Sequence, residues 1–329
     1  MWLGIDVSKN SFDAALLTEV TDERTAKPLH KVFPNNDRGH QQLLRWLQNR
    51  KVAHVHACLE ATGSYAEPIA RALQQAGHQV SLVNPAQIAA FAKSQLSRTK
   101  TDKSDAQRIA RFCQMYKPAL WQDSPPEIRA LQALVRRLES LEEMSRMEEN
   151  RLQSLPPGAS SVAVRASLEE HIAYLQEQIK KTRRQIKDHI DQNPTLKEQK
   201  ELLISIPGIG ETTAALFLAE VRSIAFESAR QLSAFAGMAP RHRQSGSSVR
   251  GRSALSKTGS SRLRKGFYFP ALAALRHNPV IQALGDRLSA KGKSGKLIIA
   301  AAMRKLLQLA YGVLKSGQPF DANFANQAT

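Results

Sequence analysis

Residues 241–251, Arg-His-Arg-Gln-Ser-Gly-Ser-Ser-Val-Arg-Gly, pack hydroxyls and glycines between arginines. Glycine lets a phosphate approach the backbone, arginine neutralises it with a forked donor, and a hydroxyl beside it can attack. On composition alone the same stretch also reads as a flexible Gly/Ser surface loop that carries basic residues. A second reactive group lies upstream. Asp6, Glu60, Asp102 and Asp105 are carboxylates without histidine or cysteine companions, a donor set suited to Mg2+ or Mn2+. A pair of such ions polarises a phosphodiester and stabilises its leaving oxygen. Each acid also has a plainer role open to it. Asp6 could be a turn acid, Glu60 the cap of the helix that follows, and Asp102 with Asp105 an N-cap acid and its N3 carboxylate.

The elements around these acids decide between the two roles. Residues 2–7 read as a short apolar strand with Asp6 near its end, followed after Ser-Lys-Asn by a second extended run, 12–17, and a third, 29–33. Together they predict an antiparallel meander. The period then changes: 41–47 is helical, 54–60 a strand ending in Glu60, 65–76 a helix closed by Gly77, and 79–83 a strand stopped by Asn84-Pro85. Asp102 and Asp105 open a helix running to about Met115 and, three residues apart, share one face. Three strands followed by alternating helices and strands predict an α/β fold, a mixed sheet with helices on its faces. Two strand-end acids and a helix-start pair then converge on one edge. Carboxylates so crowded repel unless a cation sits among them.

Charge points to the partner. The 329 residues carry 47 Lys and Arg against 29 Asp and Glu, a net +18. Between Arg241 and Lys315 there are nine arginines, seven lysines and one acid, Asp286, so +15 of that charge lies in one stretch. A one-signed excess of this size costs self-repulsion and fits a polyanion, above all nucleic acid. Arg241, Arg243, Arg250 and Arg252 flank the serines, and Lys257, Arg262, Arg264 and Lys265 follow as further backbone contacts.

From Pro125 the composition turns helical. Leu131, Leu134, Leu138 and Leu141 step by three and four, Pro156-Pro157-Gly158 interrupts, and Leu168, Ile172, Leu175, Ile179 and Ile186 resume a heptad-like stripe. This predicts an antiparallel helical hairpin or coiled-coil arm whose business is assembly. Ile206-Pro207-Gly208-Ile209-Gly210 between apolar helices resembles a helix-hairpin-helix, in which Gly208 and Gly210 offer backbone N–H groups to a phosphate; a plain helix-turn-helix connection with a glycine cap is the alternative. Cys58 and Cys113 form no metal or disulfide pattern and are expected to be reduced core residues. The opening Met-Trp-Leu-Gly-Ile-Asp has no signal-peptide character and no apolar run is expected to span a membrane, so the expected location is cytoplasmic.

The order Asp, Glu, Asp, Asp on this topology resembles the RNase H-like fold of RuvC-type Holliday-junction resolvases. Sugar kinases and actin-like ATPases share the strand opening, but their phosphate loop takes a glycine two residues after the aspartate, where this chain has Ser8. The ordered set Gly4-Ile5-Asp6, Glu60-Ala61-Thr62-Gly63, Asn84-Pro85, Lys100-Thr101-Asp102-Lys103-Ser104-Asp105-Ala106, 206–210 and 245–251 is more specific. It resembles the DEDD transposases of the insertion-sequence family numbered one hundred and ten, the bridge-RNA-guided recombinases, over essentially the whole chain.

The resemblance implies three parts: a RuvC-like catalytic domain over 1–124, a coiled-coil arm over 125–195, and a mainly α transposase domain over 196–329. It implies that Asp6, Glu60, Asp102 and Asp105 hold Mg2+ (or Mn2+), and that Ser245 attacks DNA to form a phosphoserine. Ser247 and Ser248 are then phosphate donors or loop structure. Gln244, where relatives carry an acid, leaves open what deprotonates Ser245. It further implies donor and target DNA as substrates, a structured noncoding bridge RNA as guide, and a homo-oligomer, dimer to tetramer, with no membrane. Two rivals share these residues: a RuvC-like metal-dependent endonuclease with no covalent intermediate, and a non-catalytic nucleic-acid-binding module.

Overall fold

A computed structural model describes residues 1–18, 28–61, 63, 65–95, 101–156, 158, 161–221, 226–241, 244, 245, 249, 250 and 254–323, with the backbone alone at 244, 245, 249, 250 and 254. The chain forms two compact units, Met1–Asp123 and Ser124–Thr329.

The first unit runs β1 (Trp2–Val7), β2 (Ser11–Leu17), β3 (Leu29–Pro34), α1 (Asp37–Gln48), β4 (His56–Glu60), α2 (Glu67–Gln75), β5 (Gln79–Val83), α3 (Pro85–Ser94) and α4 (Asp102–Tyr116). The five strands form one sheet in the order β3-β2-β1-β4-β5. β1, β2 and β3 pair antiparallel as the expected meander, while β4 lies parallel to β1 and β5 parallel to β4. A parallel step needs a crossover, which α1 and α2 supply. The fold is thus the expected mixed α/β sheet, compatible with a DEDD, RNase H-like domain.

Alternation along β1 assigns its residues to two cores. Leu3 and Ile5 join Phe12, Phe33, Leu43 and Leu59 in one, and Trp2 packs with Cys58, Phe91, Ile109 and Cys113 in the other. Both cysteines are buried and unbridged. Gly4 is the point of closest approach: a Cβ there would lie 2.1 Å from the Ala106 carbonyl oxygen and 2.2 Å from the Ala110 nitrogen. The absence of a side chain lets α4 lie directly on β1, which brings the start of α4 to the strand end that carries Asp6.

Asn84-Pro85 does more than stop a strand. Asn84 accepts a hydrogen bond from the Ala86 N–H at 2.9 Å and Pro85 takes the first helical position, so the pair opens α3, a helix the sequence pattern did not suggest.

The second unit begins with α5 (Pro126–Gln153) and α6 (Val162–Asp191). They pack antiparallel, with Arg183 bonded to Glu142 at 2.8 Å and His189 Nε2 2.8 Å from the Glu127 carbonyl oxygen. Leu131 and Leu138 of the stripe, with Ile128 and Val135, share a core with Ile186 and Ile190 and with α7 (Pro194–Ile204) and α8 (Glu211–Val221). There follow α9 (Ala229–Phe235), β6 (Pro240–Arg241), β7 (Gln244–Ser245), β8 (Val249–Arg250), β9 (Ala254–Leu255), α10 (Ser261–Gly266), α11 (Tyr268–His277), α12 (Pro279–Ala290) and α13 (Gly295–Ser316).

α13, 22 residues whose most apolar 18 have a mean hydropathy of 1.5, is long and apolar enough by length and composition to cross a membrane. Its inward face, Ala302, Leu306, Leu307 and Ala310, is fully buried in the core of the second unit, which accounts for its apolar character as a core helix.

Candidate functional site

The acids are positioned by register and capping. Ile5 pairs with Leu59, so Asp6 and Glu60 are the next residues along adjacent parallel strands and stand at the same carboxyl edge of the sheet. α4 is capped by Thr101, whose Oγ1 accepts from the Ser104 N–H at 3.2 Å, and Ser104 Oγ accepts from the Thr101 N–H at 3.0 Å. The capping box is therefore Thr101 and Ser104, not Asp102 and Asp105. α2 has no side-chain cap, so Glu60 does not cap it, and the turn after β1 is closed by Ser8, whose N–H and Oγ both donate to the Ser11 carbonyl. The plain roles the sequence left open for the acids are filled by other groups.

Electrostatics bring the acids together. Burial first, then the charges of Asp105, Glu60, Asp102 and Asp13, push the Asp6 carboxyl up from 3.8 to about 6. Asp105 is ion-paired with Arg108 one turn along α4, and Asp13, opposite Asp6 in the sheet, is hydrogen-bonded to His30 Nε2 at 2.6 Å. Sequence reading missed both Arg108 and Asp13. The three-residue spacing of Asp105 and Arg108 was visible, whereas Asp13 depends on strand register. Among the described residues no three His, Cys, Asp or Glu side chains stand close enough to hold a metal ion. The oxygen donors and surplus negative charge at this edge suit a hard divalent cation, while the side-chain arrangement falls short of a closed ligand set.

The described backbone around the serine stretch forms two short antiparallel ladders. β6 pairs antiparallel with β9, Pro240 with Leu255 and Arg241 with Ala254, and β7 pairs with β8, Gln244 with Arg250 and Ser245 with Val249. Ser245 and Val249 are the innermost pair of this ladder among the described residues. Below the ribbon, Ser256 and Lys257 donate backbone N–H bonds to Ala239 and Gly237 at 2.9 and 3.1 Å. Arg243, Ser247, Ser248 and Arg252 lie outside the described residues, and of Ser245 and Arg250 only the backbone is described.

The other candidate contacts divide by what they touch. Arg241 is exposed on the ribbon, and Lys257 and Lys265 are exposed. Arg262 reaches back to Glu139 at 3.0 Å and Glu220 at 3.4 Å. Arg264 Nη1 donates to the carbonyls of Ala236, Gly259 and Ser260 at 2.9, 3.1 and 3.2 Å, tying α9 and α10 together where the ribbon departs. Gly208 takes a left-handed φ of 106° between α7 and α8, where a Cβ would lie 2.7 Å from that of Ala274; Gly210 is exposed immediately before α8.

Comparison with known proteins gives these features their context. A family model described as Transposase, of the DEDD type, matches residues 3–156, and one described as Transposase IS116/IS110/IS902 family matches residues 200–286. The pilin gene-inverting protein of Moraxella bovis is 35% identical over 324 residues, 97% of each chain. The chain belongs to the IS110 family of transposases. The transposase is likewise 36% identical to the pilin gene-inverting protein of Moraxella lacunata over 97% of each chain. It is 27% identical over 296 residues, 80% of each chain, to the transposase for insertion sequence element IS1328 of Yersinia enterocolitica. Membership makes the transposase a DNA-processing enzyme, and its DEDD class points to a divalent metal ion.

Proposed function

We propose that this transposase exchanges DNA strands under the guidance of a structured noncoding RNA, through a covalent link between Ser245 and DNA. The observation that carries this reading is the crowding of carboxylates around the part-buried Asp6, whose proton is held more tightly than usual. Burial, and then the charges of Asp105, Glu60 and Asp102, raise the cost of ionising Asp6 at this edge, and none of the four acids serves as a cap or turn acid there. A protein keeps such a repulsive group where it receives a cation.

Asp6, Glu60, Asp102 and Asp105 would hold Mg2+ or Mn2+, which when bound polarises the phosphodiester and stabilises the leaving oxygen. Arg241, Arg243, Arg250 and Arg252 bind the phosphate, with Gly208 and Gly210 offering backbone N–H groups elsewhere along the nucleic acid. Ser245 Oγ forms a bond to phosphorus as the P–O bond of the DNA strand breaks, and the proton lost by the serine ends on the departing hydroxyl. A hydroxyl from the second duplex then attacks the phosphoserine, restoring the serine and joining the strands. Each phosphodiester lost is matched by one formed, so no ATP is needed.

The Moraxella relatives, named as gene-inverting proteins, support strand exchange over simple cutting, since inverting a segment requires rejoining both ends. The dense positive charge beyond Arg241 supports RNA and DNA backbones as ligands, with base pairing choosing the sites. We assign 1–124 to metal-dependent catalysis, the 125–195 hairpin to assembly of a dimer or tetramer, and 196–329 to nucleic-acid binding and the serine. A suicide DNA substrate tests the chemistry: protein-linked DNA should accumulate with the wild type and not with Ser245→Ala. Strand exchange by that variant at the wild-type rate would leave only a metal-dependent nuclease-type mechanism.

A further inference from the structure

α11 opens with two exposed aromatics. Phe269 is 75% exposed and Tyr268 42%, and their rings meet edge to face with centroids 5.4 Å apart. Neither is needed by the core beneath them, which Phe267 fills, fully buried, against Phe217. A lone exposed phenylalanine is ordinary, but two exposed rings in contact on the rim of a groove form an apolar patch of the kind that marks an interaction site.

The pair lies on the wall of a groove of about 1230 Å3 in the second unit, formed by α5, α6, α8, α10, α11 and α13. Its floor is apolar, with Leu138, Ile186, Leu216 and Met303 among the lining residues. Its charge is one-sided: nine lysines and arginines against four glutamates. Arg183 and Arg262 are engaged by Glu142 and Glu139. Lys257, Lys265 and Lys296, from the foot of the serine ribbon, α10 and α13, form no salt bridge among the described residues, while Lys187 of α6 acts by charge on Asp191.

Free cations around an apolar trough with a protruding aromatic pair match one chemistry. A flexible polyanion with flat apolar faces satisfies both, its phosphates meeting the lysines and its unstacked bases meeting the rings. A duplex keeps its bases stacked inside and has nothing to offer the aromatics. We infer that this groove binds a single-stranded segment of nucleic acid, with Phe269 and Tyr268 as the stacking platform for an unpaired base. The inference rests on the nucleic-acid reading of the protein and adds the place where unpaired nucleotides are held. It requires nothing of Ser245.

Fluorescence anisotropy with the full-length protein tests it, using a 12-nucleotide RNA, the DNA of the same sequence, and a 12-base-pair duplex, with 2-aminopurine placed singly along the strands. Phe269→Ala should weaken single-strand binding about tenfold, change duplex binding less than twofold, and leave the salt dependence unaltered because no charge is removed. Phe269→Tyr should keep wild-type binding, and 2-aminopurine should be quenched at one position in the wild type and released in Phe269→Ala. The tighter of the RNA and DNA strands identifies the source. Ser245→Ala should bind single strands normally even if no covalent adduct ever forms, so failure of the serine chemistry and failure of this site are separable. Equal binding by Phe269→Ala and wild type, or equal losses for strand and duplex, would overturn the inference. So would a change of oligomeric state in Phe269→Ala by sedimentation, since the groove would then seat a second copy of the chain.

Discussion

Thr101 and Ser104 cap α4 reciprocally, each hydroxyl accepting the other's backbone N–H, at 3.2 and 3.0 Å. The exchange satisfies two of the orphan donors at the helix start and relieves Asp102 and Asp105 of that duty. Stability and chemistry should therefore separate at this terminus. Thr101→Ala is expected to cost about 1 kcal/mol of folding stability. Asp102→Asn, exposed and without a cap role, should change stability by less than about 0.5 kcal/mol yet reduce strand exchange by about 100-fold or more. Thermal unfolding and a strand-joining assay on the same preparations check both halves. A large stability loss in Asp102→Asn would return that residue to structural service.

Asp6 makes the acid edge sensitive to pH. Its carboxyl is raised from 3.8 to about 6, chiefly by burial and then by neighbouring carboxylates, so the folded state holds the proton more tightly than the unfolded chain. The stability from that protonated form is fully present below pH 3.8 and is lost as pH rises through about 6. Without divalent ions, Asp6→Asn should melt a few degrees higher than wild type at pH 8 and no higher at pH 4, an effect on the order of 1 kcal/mol after solvent screening. Added Mg2+ should raise the wild-type midpoint at pH 8, and raise that of Asp6→Asn much less. A wild type indifferent to Mg2+ at pH 8 would argue against the metal role.

Gly4 converts packing into site geometry. With the Ala106 carbonyl 2.1 Å from where a Cβ would stand, Gly4→Ala must push α4 off β1, because the opposing atoms are backbone and cannot rotate away. The expected cost is about 1–3 kcal/mol, together with a loss of strand exchange as Asp102 and Asp105 move with the helix. Gly292→Ala in the second unit, a substitution facing open space with φ of 65°, supplies a control for backbone strain. Urea denaturation and the strand-joining assay give the two readouts.

How legible these features are in sequence follows from the range of the forces involved. Strands β1, β2, β3 and β5 are short apolar runs bounded by turns, so their identity is local and reads directly. The convergence of Asp6 and Glu60 also reads, because both close strands of a predictable topology. The serine ribbon does not read. Gly246, Ser247 and Ser248 give weak strand propensity, and its two ladders are pinned by bonds from Ser256 and Lys257 to Ala239 and Gly237, across the whole excursion. Capping by Thr101 rather than Asp102 is a one-residue choice settled by which residue leaves helical geometry, and Thr101 is the extended one, at φ −145° and ψ 151°. The exposure of Phe269 depends on how α10 and α11 pack, which no period in the sequence reports.

Arg264 and Arg241 look alike in sequence and should behave oppositely. Arg264 gives one guanidinium nitrogen to three carbonyls at the root of the serine ribbon, whereas Arg241 is exposed on the ribbon itself. Removing Arg264 strands part-buried acceptors and leaves space beside Gly237, whose added Cβ would come within 2.4 Å of that nitrogen. Arg264→Ala should therefore cost about 1–3 kcal/mol of stability and leave the salt dependence of DNA binding at its wild-type slope. Arg241→Ala should keep the wild-type melting temperature and flatten the slope of log K against log salt by about one, the loss of a single phosphate contact. Melting curves and salt titrations of the two variants, run in parallel, distinguish a structural clamp from a phosphate ligand. If Arg264→Ala flattened the salt slope as Arg241→Ala does, both would be phosphate ligands, and the carbonyl contacts of Arg264 would yield to DNA when it binds.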